Sequence, residues 1–200
     1  MITMQIYGTS RSRSLRVLWL AQELGLAFEH IPLDWQQCGQ DAAYLALNPA
    51  GTIPALVDGD FVLAESLAIN AYLARRDGRL WPQGEQDEAC FWQWTLWASS
   101  SLEAPYLQWA SQALWLPEAK RDAGQLAQAC QALQRPLARL NVALQDRDYL
   151  LGSAFSVADL NVAGVINGLR RFDFTHYPAV ADWLQRCLTR PAYLAAARLP

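Results

Sequence analysis

Cysteine is sparse and scattered in this chain. Cys38, Cys90, Cys130 and Cys187 lie far apart and form no Cys-x-x-Cys pair. That spacing excludes a dithiol redox motif and a zinc knuckle, and it does not match the cysteine frame of a small secreted domain. Histidine is scarcer still: only His30 and His176 occur, neither near a ligand partner, so no metal site is expected. Basic residues never run beyond pairs, and the net charge is −3 with a pI near 5.3. Nucleic acid is therefore not an expected partner. No apolar stretch approaches the ~18 residues of a membrane span, and no charged start followed by an apolar run marks a leader. The expected setting is cytoplasmic and away from membranes.

What is present points to packed structure. The chain has 200 residues, 52% of them hydrophobic and 18% charged, which excludes disorder and allows one large domain or two small ones. Nine tryptophans occur, and Trp92, Trp94, Trp97, Trp109 and Trp115 fall in one segment. Most are expected in core or interface, with some left to line an apolar pocket.

The chain divides by periodicity. Residues 3–7 alternate as a short strand, a polar loop 8–14 follows, and Leu15, Leu18, Trp19 and Leu24 recur at helical spacing up to a Gly25 stop signal. Residues 28–33 alternate again, so a right-handed βαβ unit with parallel strands is expected. Residues 41–47 make a short helix. Two strands with Asp58-Gly59 between them follow, and Ser66 opens a helix to about residue 76. The order is β-α-β-α-β-β-α over residues 1–77. Residues 78–87 read as a linker, and 88–200 as an all-helical domain with a kink expected at Pro105 in its first helix. Its other helices cover about 118–145, then begin after Ser156, at Pro178 and at Pro191. No metal site and no permanently bound cofactor is expected.

One stretch organises the first half: Asn48-Pro49-Ala50-Gly51-Thr52-Ile53-Pro54-Ala55-Leu56. Pro54 stands against a strand, where a residue without an N–H is normally unwelcome. A fixed turn, cis being one form of it, leaves the backbone of Thr52 and Ile53 unpaired and facing outward. A strand edge of that kind can receive a peptide-like ligand. In the second half, Ser156-Val157-Ala158-Asp159 has capping-box spacing, a folding signal to which no chemistry is assigned.

In sum these residues resemble a family. The opening Tyr7-Gly8 through Arg16-Val17-Leu18-Trp19-Leu20, the Asn-Pro-x-Gly-x-Ile-Pro-Ala-Leu turn, Glu65-Ser66, Phe155-Ser156-Val157-Ala158-Asp159-Leu160 and the ending Pro178 to Pro191 look like a cytosolic glutathione S-transferase. The likeness is to the bacterial, serine-type, theta- or zeta-like members, and it covers essentially the whole chain. It implies a thioredoxin-like N-terminal domain, an all-helical C-terminal domain, a cis Pro54 and a homodimer. Glutathione would be the co-substrate: its cysteinyl part would pair with Thr52 and Ile53 beside Pro54, and its γ-glutamyl end would meet Glu65 and Ser66. Free N–H groups at the helix start suit that carboxylate.

The resemblance puts the thiol-activating hydroxyl on Ser12, by its spacing from Arg16. Ser10 and Ser14 compete, and Tyr7 is the tyrosine-type alternative, although it falls within the strand. No loop cysteine is present, which disfavours a glutaredoxin-like reductase. A small hydrophobic electrophile would lie between this loop and the long helix, where Ser99, Glu103, Tyr106 and Trp109 recur at steps of three or four. Glu103 on such a face would meet water or select a polar or cationic substrate. Conjugation is the expected reaction, with hydroperoxide reduction as a variant. The alternative is a non-catalytic glutathione-binding or protein-interaction module.

Overall fold

A computed structural model describes residues 4–200. Thr3, the expected first residue of the opening strand, lies outside the described residues. Two compact units divide the chain: Met1–Trp81 together with Thr189–Pro200, and Pro82–Leu188. The last twelve residues were expected with the helical half; they fold instead with the first unit.

The first unit is thioredoxin-like. Its elements are β1 (Met4–Tyr7), α1 (Ser14–Glu23), β2 (Phe28–Ile31), α2 (Ala42–Leu47), β3 (Ala55–Asp58), β4 (Phe61–Ala64) and α3 (Ser66–Asp77). The sheet order is β2-β1-β3-β4, with β1 and β2 parallel and the other two pairings antiparallel. Asp58 pairs with Phe61, so the hairpin turns on Gly59 and Asp60, one residue later than expected, with Gly59 at φ 64°. α1 ends in a Schellman motif: Gly25 at φ 55° donates to the Gln22 carbonyl and Leu26 to the Ala21 carbonyl. Leu15, Leu18 and Trp19 bury its apolar face, together with Ile6 of β1 and Leu56 of β3. α1 packs against α3 and against α9 (Pro191–Ala196), where Tyr193 stands edge-on to Trp19 at 5.0 Å.

The second unit is all helix. It holds α4 (Glu85–Trp97), α5 (Glu103–Ala110), α6 (Ala123–Leu144), α7 (Val157–Val165) and α8 (Pro178–Leu188). α4 begins three residues before the expected 88. The chain between α4 and α5 widens into a π-helical segment, Ala98–Leu102. Pro105 has no N–H for the Ser101 carbonyl, and a π segment just before it accommodates that loss. α6 begins at 123, not 118, because Asp122 caps it by accepting from the Gln125 N–H at 3.0 Å. Pro136 sits inside α6 at a cost of ~3 kcal/mol. Leu133, Leu137, Leu140 and Leu144 are buried along one stripe, at ~1.5–3 kcal/mol each, so burial wins.

The capping box at Ser156 forms, and Asp159 does more than close it. Its carboxylate accepts from Ser156 N at 3.0 Å, Ser156 Oγ at 2.9 Å, Leu150 N at 2.8 Å and Trp183 Nε1 at 2.9 Å. Burial pushes the carboxyl pKa above its ordinary value, against the pull of those four donors. The group ties the α7 start to α8 and to the loop before it. Among the described residues, no helix is long and apolar enough to cross a membrane.

Candidate functional site

The Ile53-Pro54 peptide is cis. The turn before it is fixed from inside: Tyr44 Oη and Asn48 Nδ2 both donate to the Thr52 carbonyl, at 2.5 and 2.7 Å. Asn48 Oδ1 accepts from Ala50 N at 3.3 Å. Gly51, at φ 60°, leaves only 3.0 Å between an added Cβ and Gly39 Cα, so a side chain there would be both strained and crowded. The Ile53 side chain lies in an apolar cluster with Cys38, Tyr44 and Ala55. Among the described residues, neither main-chain polar group of Ile53 enters a hydrogen bond outside the sheet ladders. The result is a held strand edge with a donor and an acceptor to offer.

α3 starts next to a strained residue. Glu65 is the one described non-glycine residue with positive φ, at 69° with ψ 106°. It gives no side-chain cap, and the first turn of α3 carries no acid. Ser66 is buried, and the Arg16 guanidinium donates to its hydroxyl at 3.2 Å. Arg16 itself is only 5% exposed. Uncapped N–H groups and a buried cation beside them make this helix start suited to a carboxylate.

The loop 8–14 sorts its hydroxyls. Gly8 is pinned on both sides of the peptide: its N–H donates to the Ile31 carbonyl at 3.0 Å, and its carbonyl accepts from His30 Nε2 at 2.7 Å. A Cβ on Gly8 would sit 1.9 Å from Ser14 Oγ, so glycine is required for this approach. Ser14 is buried beneath it, with Oγ 3.4 Å from the Tyr7 carbonyl. Ser10 Oγ donates to the Leu199 carbonyl at 2.6 Å. Tyr7 Oη donates to Gln5 Oε1 at 3.2 Å, and burial, then Glu29, raises its pKa. Ser12 is different. It is half-buried, its Oγ lies 2.8 Å from the Thr9 carbonyl and 2.9 Å from Ser14 Oγ, and it accepts from Ser14 N at 3.1 Å. A hydroxyl has one proton, so it can serve one of those acceptors at a time, and the accepted N–H polarises it as a donor.

On the helical unit the four expected pocket residues separate. Ser99 is exposed within the π segment, and Glu103 opens α5 half-buried. Tyr106 and Trp109 are interior: Tyr106 Oη approaches Asn167 Oδ1 at 3.4 Å, and Trp109 stacks edge-on against Phe172 at 5.6 Å. Among the described residues, no group of three His, Cys, Asp or Glu stands together as a metal site would need.

Comparison with known proteins bears on this geometry. Residues 2–75 match the family described as glutathione S-transferase, N-terminal domain, and residues 102–191 match glutathione S-transferase, C-terminal domain. A protein of Escherichia coli (strain K12), glutathione S-transferase GstB, is 31% identical over 98% of both chains. The chain belongs to the glutathione S-transferase family. A theta class glutathione S-transferase from Xanthomonas axonopodis pv. citri, solved with glutathione bound, is 32% identical. It covers 99% of this chain and 98% of its own, with a TM-score of 0.90. Glutathione S-transferase-I, solved with lactoylglutathione, is 27% identical over 98% of both chains, with a TM-score of 0.87.

The transferase fold brings the turn residues Thr52, Ile53 and Pro54 into one unit with Glu65, Ser66 and the serine loop. Four supporting side chains lie outside the sequence expectations. Arg16 served there only as a counting anchor, although a single arginine in an apolar helix stretch is a signal of a buried partner. Asn48 and Tyr44 hold the turn, and Asn48 was readable from its place before Pro49. His30 on Gly8 had no local signal, since the parallel pairing of β1 and β2 creates the contact.

Proposed function

We propose that this glutathione S-transferase conjugates glutathione to small apolar electrophiles, with Ser12 donating a hydrogen bond to the thiolate. The carrying observation is the sorting of the loop: Ser10 donates to the chain's own Leu199, Ser14 is sealed beneath Gly8, and Ser12 keeps a half-exposed hydroxyl. The cysteinyl part of glutathione would pair with the Ile53 main chain. Its γ-glutamyl carboxylate would meet Ser66, the α3 N–H groups and the field of Arg16, and Glu65 would take the ammonium. Thr52 and Pro54 fix the turn that presents this edge.

Magnitudes set the share of each part. A thiol of pKa ~8.5 is only about 3% thiolate at pH 7. Lowering it by about two units needs ~2.7 kcal/mol. A hydrogen bond to the anion is worth about 1.5–3 kcal/mol, but Ser12 gives up a neutral bond of about 0.5–1.5 kcal/mol to make it. Ser12 therefore supplies about one unit. The α1 N-terminus, with Arg11 and Arg13 in the same loop, adds some tenths to a kcal/mol. With an aryl halide, a C–S bond forms and halide leaves; with an enal, sulfur adds to carbon and water returns a proton. With a hydroperoxide, the thiolate takes the distal oxygen to form a sulfenic acid as the alcohol leaves, and a second glutathione thiol then gives the disulfide and water.

On the helical unit, Ser99 and Glu103 would face the electrophile with exposed surface, and the buried Tyr106 and Trp109 would contribute apolar wall. A homodimer fits the exposed apolar Phe61 on the first unit and Trp92 and Leu96 on the second, which a second copy would cover. A cytoplasmic setting suits a glutathione-dependent enzyme whose cysteines form no disulfide among the described residues. The test is retention on immobilised glutathione followed by turnover with aryl halides, enals and hydroperoxides. Retention without turnover on any of them defeats the enzymatic reading and leaves a binding module.

A further inference from the structure

The serine loop is gripped by the far end of the chain. Ser10 spends both of its donors there: its N–H goes to the Pro200 main-chain oxygen at 2.9 Å and its hydroxyl to the Leu199 carbonyl at 2.6 Å. The segment that supplies these oxygens is itself anchored. Arg190 pairs with Glu23 through two nitrogens, at 2.6 and 2.8 Å, and Trp19 Nε1 holds the same carboxylate at 2.9 Å. Tyr193 lies buried against Trp19. Beyond α9, Arg198 N and Leu199 N donate to the Ala195 and Ala196 carbonyls, at 3.2 Å each. Residues 190–200 thus run antiparallel to α1, from Glu23 at its end to the loop at its start. They form a strap about 15 Å long, the length of a ten-residue helix.

The loop transmits this grip. Thr9, next to Ser10, receives both Ser12 N at 3.1 Å and Ser12 Oγ at 2.8 Å on its carbonyl. Where Ser10 sits therefore decides where Thr9 O and the Ser12 hydroxyl sit. We infer that the strap is a positioning element for thiol activation, with Ser10 as its receiving residue and Leu199 and Pro200 as its holding groups. The inference rests on Ser12 as the thiolate donor. Ser10 is given the receiving role because its hydroxyl and its N–H both go to the strap, whereas the Ser12 hydroxyl bonds only within its own loop.

The test is a chain ending at Arg198, beside Ser10→Ala. Each is saturated with glutathione, and the ultraviolet absorbance of the bound thiolate is titrated. The expected result is an upward move of about half a pH unit, with kcat at pH 5.5 falling about threefold. KM for glutathione should stay within about twofold, because the Ile53 edge and Ser66 are untouched. A chain that loses thermal stability while keeping its titration and pH profile would make the strap merely structural and overturn the proposal. A downward move in the shortened chain overturns it too, since that is what a released Ser10 acting on the sulfur would give. If the shortened chain does not fold, Ser10→Ala decides alone. Ser12→Ala separates the two layers: an unmoved titration there, with the strap variants still shifted, defeats the Ser12 reading alone. A moved titration there, with both strap variants unmoved, defeats the strap alone.

Discussion

Two helices in this transferase begin with a serine in their first turn or cap, and they begin for opposite reasons. α7 starts on Ser156, and its own chain answers it: Asp159 gathers four donors and leaves the start closed. α3 starts on Ser66 after a residue of positive φ, with no acid in its first turn and the Arg16 guanidinium on its hydroxyl. The first arrangement caps itself with its own carboxylate, and the second leaves its first-turn N–H groups without a side-chain cap. The difference lies in where the carboxylate is, three residues ahead or absent. A helix start with a strained cap residue and uncapped N–H groups is the one the proposed reading gives to the γ-glutamyl carboxylate.

This contrast can be broken experimentally. Removing the carboxylate of α7 should give the largest effect: Asp159→Ala leaves four buried donors without an acceptor and should cost about 3–5 kcal/mol in a denaturant titration. At temperatures where it remains folded, its glutathione affinity should match the parent. At α3 the pattern reverses. Ser66→Ala should weaken glutathione binding by about 10- to 100-fold in calorimetry, the worth of a hydrogen bond to a charged group, while the lost bond from Arg16 lowers stability by about 1–2 kcal/mol, less than at Asp159. Equal stability losses at the two starts would erase the distinction.

Away from these starts, Ser12→Ala should raise the pKa of bound glutathione by about one unit, read from thiolate absorbance, with little change in Kd. The smallest effect belongs to Tyr7→Phe. Burial raises the Tyr7 pKa in the folded state, so its hydroxyl stays neutral through pH 6–9 and no tyrosinate is available there. The pH profile of kcat/KM should keep its shape and change by less than about twofold. A profile that lost its acid limb in this variant would return the role to the tyrosine.

How much of this was legible in the chain follows the range of each contact. The β-α-β-α-β-β-α order, the Gly25 stop, the Ser156 cap and the Pro54 turn are written in residues within a few positions of one another, and the fold carries them. The π segment was not legible: Pro105 announces a defect, but whether a helix kinks or widens depends on its neighbours. The even spacing of Ser99, Glu103, Tyr106 and Trp109 suggests one face, but Ser99 falls in the widened segment and the burial of Tyr106 and Trp109 is set by tertiary neighbours. Ser10, Ser12 and Ser14 could not be ranked from the loop alone. Two of the groups that separate them, His30 and the strap, arrive from another strand and from the other end of the chain.

That strap also bears on how the protein is made. The Arg190–Glu23 pair joins residues 167 positions apart, with α4 to α8 all encoded between them. The first unit to leave the ribosome therefore emerges without the helix that covers one side of α1, leaving Trp19 without Tyr193. It waits for the entire helical unit to be synthesised before it can close. A nascent chain with that history exposes apolar surface for most of its synthesis, the interval in which a chaperone has something to hold.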